Sequence, residues 1–142
     1  MGFVLFVGDC GISKMPFDIP AVFAERVQSV DCPECVVVLG YGAELPVVRS
    51  AAGVLINGDC GGELPVERLG GVQLITCGRC GKNTVSLTSD SGETVTAALN
   101  RAVTTLYGVC EPLEYPMDRL PGTSEFGCMA AFAAAVLLGK IT

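Results

Sequence analysis

The chain contains no histidine and no tryptophan, and only 9 of its 142 residues are lysine or arginine. Without histidine the commonest general base and the commonest metal ligand are both excluded, and a Ser-His-Asp triad cannot form. Lys14, Arg49, Arg79, Lys82 and Lys140 are scattered, and the net charge is −6. Nucleic acid and anionic membrane surfaces are therefore not expected as partners. Long hydrophobic runs are missing too. Phe3–Val7 has no basic flank and meets Gly8-Asp9 after five residues, so no signal peptide is expected. The apolar stretch 130–138 falls short of the ~18 residues that a spanning helix requires. A cytoplasmic protein is expected, in which the eight cysteines stay reduced.

Apolar residues make up 50% of the chain and charged residues 17%, which excludes a disordered polymer. The length suits one domain spanning residues 1–142. Its Val, Ala and Leu content suits a sheet covered on both faces. Strand-length runs fall at Phe3–Val7, Cys35–Leu39, Gly53–Asn57 and residues 72–76, each ending in or near glycine. Between the first two, Val22, Phe23, Val27 and Val30 share a helical face, predicting a short helix over residues 21–30. Residues 43–49 are ambiguous, and Pro46 opposes a long helix there. Later segments alternate with period two at 84–88, 94–99 and 110–116, predicting antiparallel strands. The stretch 94–106 could also form a helix, but its threonines favour strands. Residues 124–138 read as an alanine-rich helix capped by Ser124 and ended by Gly139. Its Ala130 to Ala135 face can lie against a sheet or serve self-association. The expected fold is α/β: a single domain with a mostly parallel sheet flanked by helices, a small antiparallel section and a C-terminal helix.

From about Val54 to Thr142 the order of short motifs resembles the later half of a Mur ligase central domain. The likeness rests on Asn57-Gly58-Asp59 at a strand end, then Leu74-Ile75-Thr76-Cys77-Gly78. Leu120-Pro121-Gly122 follows, ahead of a small-residue helix running to Leu137-Leu138-Gly139-Lys140-Ile141. The resemblance implies an α/β fold and descent from ATP-using enzymes of cell-wall synthesis. It does not carry nucleotide binding over. Where that family places a His-Asn pair and a second Asn after Leu-Pro-Gly, this chain has Ser124, Glu125 and Cys128. No counterpart of the family's following amino-acid-binding domain is expected before Thr142.

Two glycine strings invite comparison with a phosphate loop, which needs backbone N–H groups at a helix start, a lysine and a magnesium-binding hydroxyl. Gly8-Asp9-Cys10-Gly11-Ile12-Ser13-Lys14 has no Gly-Lys step, and Asp9 would repel phosphate. Gly78-Arg79-Cys80-Gly81-Lys82-Asn83-Thr84 has the step, but Asn83 replaces the hydroxyl and a strand is expected next. ATP with magnesium is thus not an expected cofactor.

The pairs Cys32-Pro33-Glu34-Cys35 and Cys77-Gly78-Arg79-Cys80 have zinc-ligand spacing, and Cys32, Cys35, Cys77 and Cys80 would form the site if both met at one sheet edge. Buried packing is the ordinary alternative. A redox dithiol favours a helix start, whereas Cys32 to Cys35 enters a strand, and no thioredoxin-like order is visible. Asp9, Asp59 and Glu63 sit in turns at strand ends, where open sheets place ligands. Candidate ligand-binding residues are therefore Asp9, Asn57, Asp59, Gly78, Gly81 and Lys82. The expected function is a non-catalytic Mur-ligase-like binding domain whose partner is a protein, another copy of itself or a small ligand. The alternatives are a zinc-stabilised module and a nucleotide-binding enzyme with an atypical phosphate loop.

Overall fold

Continuous apolar runs pair side by side to make the centre of the molecule. The computed structural model describes residues 2–59 and 66–141. In chain order it contains β1 (Phe3–Val7), β2 (Ala21–Ala24), β3 (Ser29–Asp31), β4 (Cys35–Leu39), β5 (Val47–Ser50), β6 (Gly53–Asn57) and a 3-10 turn (Val66–Leu69). There follow β7 (Leu74–Cys77), β8 (Val85–Asp90), β9 (Thr94–Leu99), β10 (Val103–Thr105), β11 (Gly108–Cys110), β12 (Leu113–Asp118) and α1 (Glu125–Leu137). Eight strands form one sheet in the order β12-β9-β8-β7-β6-β4-β1-β2. Pairing is parallel from β2 through β8, then antiparallel from β8 to β9 and β12.

The interior strand β4 is buried on both faces, which is why its sequence reads Cys-Val-Val-Val-Leu without alternation. Val36 and Val38 face α1, while Cys35, Val37 and Leu39 face the opposite layer. That layer is a small parallel pair, β3 with β5, whose Val30 and Val48 are buried beside Leu69 of the 3-10 turn. The chain therefore coils repeatedly between two layers: β3 into β4, β5 into β6, the 3-10 turn into β7.

This arrangement corrects the α/β expectation, and with it the α/β description attached to the Mur-ligase likeness. The protein is mostly β and solenoid-like, with α1 as the single α-helix among the described residues. Short strands stand where flanking helices were expected. Residues 21–30 are β2 and β3, not a helix. Val22 and Phe23 are a β-branched and an aromatic residue suited to a pleated surface. Pairing of β2 with β1 stacks the Phe23 ring on Phe6 at a centroid distance of 4.8 Å. The ambiguous segment 43–49 leads into β5, past Pro46. The stretch 94–106 holds β9 and β10, as its threonines indicated.

Helix α1 begins and ends on local signals. Ser124 Oγ accepts the Gly127 N–H at 2.9 Å, satisfying one orphan donor of the first turn. At the other end Gly139 adopts φ +77°. Its N–H reaches Val136 O, and the Lys140 N–H reaches Ala135 O. These two bonds are those of a Schellman motif. Between these caps, Gly127 to Leu137 are all buried. The sheet covers one side of the helix, and Ile12, Met15 and Leu106 pack around it. The alanine face is thus consumed inside the chain and is not left for a second copy. No helix among the described residues is long and apolar enough to cross a membrane.

Candidate functional site

The site arises from the direction in which connections leave the sheet. After β1 the chain crosses the face that α1 covers, burying Cys10, Met15 and Ile19 there. After β4 it crosses the other face, burying Leu45 and Val48. The neighbouring strands β1 and β4 thus send their connections to opposite faces, and beyond a bridge between Asp9 and Tyr41 the loops part and leave a crevice at the carboxyl ends of the strands. A cleft of about 630 Å³ opens there.

Each wall is built by short-range hydrogen bonds. At the end of β1, the Asp9 carboxylate accepts the Gly11 N–H at 3.0 Å. Gly11 adopts φ +70°, and a Cβ on it would collide with the Ser124 hydroxyl. Its carbonyl accepts the Ser124 N–H at 2.8 Å, which ties this loop to the start of α1. The Tyr41 N–H donates to Asp9 O at 3.2 Å, joining the loops after β1 and β4. At the end of β6, Asn57 Oδ1 accepts the Asp59 N–H at 2.9 Å. Both Asp59 oxygens accept the backbone N–H of Arg79, at 3.1 and 3.0 Å. The Arg79 side chain then spans to Glu125, with Nε–Oε2 at 2.9 Å and a second bond at 3.0 Å. That paired geometry is the strong form of a guanidinium–carboxylate contact. The Glu125 carboxylate also sits in the first turn of α1, where the helix dipole favours negative charge.

Arg119 completes the rim, donating to Asp90 at 2.7 Å and to Thr123 O at 3.0 Å. The Gly92 N–H and then Arg119 hold the Asp90 carboxyl below its ordinary value. The cleft is lined by carboxylates from Asp9, Asp59 and Glu125 and by guanidiniums from Arg79 and Arg119. Its lining is therefore polar, slightly acidic and already cross-braced.

No family model, curated protein or solved structure matches the chain.

Of the sequence candidates, Asp9, Asn57 and Asp59 meet in this cleft. Gly78 lies directly under it, since a Cβ there would come within 2.6 Å of Asp59 Oδ1. Gly81 and Lys82 do not line the cleft: both are exposed, and the Lys82 carbonyl accepts from Arg101. The string from Gly78 to Thr84 runs into β8, not into a helix, so its amides have no helix dipole behind them. Glu63 lies outside the described residues.

The four zinc candidates do not converge. Cys35 opens β4 and Cys77 closes β7, and both strands belong to the parallel part of the sheet, so the pairs sit at its opposite ends. They also face opposite layers, Cys35 the β3–β5 side and Cys77 the α1 side. Among the described residues no group of three or more His, Cys, Asp or Glu side chains could hold a metal ion. Burial pushes the Cys35 thiol up to about 12 and raises that of Cys77 as well. Cys10 lines the cleft floor, but burial pushes it up to about 11, and its Sγ lies 3.6 Å from the Val7 and Val38 carbonyls. It is a packing thiol.

Sequence reasoning did not mark Arg119, Glu125 or the Arg79 side chain as site residues. Arg79 and Glu125 are 46 residues apart, and no local pattern signals that they will meet. Ser124 was legible as a helix cap, and that cap forms one wall.

Proposed function

We propose that the chain is a non-catalytic binding domain that takes a small polar molecule in the cleft at the carboxyl ends of β1, β4, β6 and β7. The supporting observation is the crevice between diverging connections, into which Asp9, Asn57, Asp59, Arg79, Arg119 and Glu125 converge. A few placed polar groups in a concave site are what small-molecule recognition requires. The three carboxylates outnumber the two guanidiniums, so the lining suits neutral or cationic polar ligands and disfavours a triphosphate. Most of its charged groups already bond to protein partners, so the site is organised before a ligand arrives and little ordering cost remains at binding. Net charge −6 argues against nucleic acid as a partner.

The test is amide chemical-shift mapping with a panel of amino acids, amines, sugars and nucleotides. At least one neutral or cationic compound should move the Gly11, Asp59, Arg79 and Glu125 amides together. Shifts confined to other surfaces, or no saturable response across the panel, would remove the cleft from consideration.

A further inference from the structure

Only one of the two CxxC pairs is folded back on itself. The Cys35 N–H donates to the Cys32 carbonyl at 3.1 Å, closing the turn Cys32-Pro33-Glu34-Cys35. Such a closed four-residue turn holds its end Cα atoms within about 7 Å, at the range a disulfide spans. The Cys32 N–H is in turn fixed to Ser50 O at 3.1 Å, so the turn is anchored to the end of β5. Both side chains enter the same apolar cluster under β3 and β5, Cys35 fully buried and Cys32 at its partly exposed edge. The two thiols are near enough that Cys32 adds to the upward push on Cys35. The second pair lacks this closure. Cys77 is buried on the α1 face, Cys80 is exposed, and the Cys80 carbonyl accepts from Asn83 instead.

We propose that Cys32 and Cys35 form a reversible redox pair, oxidised by a small-molecule disulfide. The Cys32 thiolate attacks one sulfur of the small disulfide, expels one thiolate and leaves a mixed disulfide on Cys32. The buried Cys35 sulfur attacks Cys32 Sγ and its proton passes to the departing second thiolate, which leaves as a thiol. Two protein thiols and one small disulfide become one protein disulfide and two small thiols, with two electrons passing to the small molecule. Division of labour follows from position: the accessible sulfur meets the oxidant, and the buried one resolves the adduct. Because the turn already has its closed shape, oxidation needs no movement of β4.

The experiment treats the native protein with oxidised glutathione, blocks remaining thiols, and maps linkages by mass spectrometry of the intact chain and its peptides. The expected product has lost two hydrogens at a Cys32–Cys35 linkage, and dithiothreitol restores the starting mass. Cys80 is expected to carry only a glutathione adduct. In the Cys35→Ser variant, glutathione should remain on Cys32, and in Cys32→Ser neither position should react. A stable glutathione adduct at Cys32 of the native chain, a linkage joining other cysteines, or no reaction at Cys32 would each overturn the proposal. The native-chain mapping stands even if a variant fails to fold.

Discussion

Gly11 illustrates how single residues set the cleft. Its φ of +70° lies where side chains are strained, and Ser124 occupies the space a Cβ would need. Gly11→Ala should therefore destabilise the protein by about 2 kcal/mol or more, read as a lower urea midpoint. A wild-type midpoint would mean that this loop does not pack on the helix cap. The buried thiols make a second residue-scale prediction. A thiol ordinarily titrates at 9.0, whereas burial pushes Cys10 up to about 11 and Cys35 up to about 12. Between those values the folded chain keeps protons that the unfolded chain loses. Their stabilising effect is complete below pH 9 and declines as pH rises toward 11 and 12. Each thiol costs up to about 1.4 kcal/mol per pH unit over that window. Urea unfolding under reducing conditions at pH 8, 9 and 10 should show the decline, and Cys35→Ala should remove part of it. Asp9, Asn57 and Asp59 were readable as candidates because glycine turns at strand ends are a local pattern. Arg119 and Glu125 were not, because their roles depend on partners far away in the chain.

At the scale of the element, α1 carries the largest mechanical responsibility. Phe132 is fully buried between the sheet and the surrounding loops, and its ring lies 6.1 Å from that of Tyr115. Phe132→Ala should cost about 3–5 kcal/mol. Ala134 is also fully buried, so Ala134→Leu should overpack the interface and cost about 1–3 kcal/mol. Urea titration with unchanged slope checks both. If Ala134→Leu were neutral, the alanine face would have room that close packing forbids. This helix was legible end to end, since a Ser cap, a Gly stop and an alanine-rich run between them are local facts. The β2–β3 segment was not. Val22, Phe23, Val27 and Val30 fit a helical face as well as strands, and only pairing with β1 and β5 chooses between them.

For the whole molecule, charge and topology combine. A net −6 and a glycine string that feeds a strand give a triphosphate little to hold. ATP with magnesium should leave the thermal midpoint unchanged, and a concentration-dependent rise would show a nucleotide site. The topology also explains why the expectation of flanking helices failed. Crossovers that run in short coils need few residues and bury a strand's apolar side against the sheet as effectively as a helix stripe does.

Composition and local pattern were enough to set the absence of histidine chemistry, the positions of the central strands, the capped alanine helix and the glycine turns. They act through nearest neighbours, so they are written in adjacent residues. The second layer of strands, the parting of the loops after β1 and β4, the Arg79–Glu125 brace and the separation of the two cysteine pairs were decided by folding. Each depends on which distant segments become neighbours, and that choice is made by burial over the entire chain.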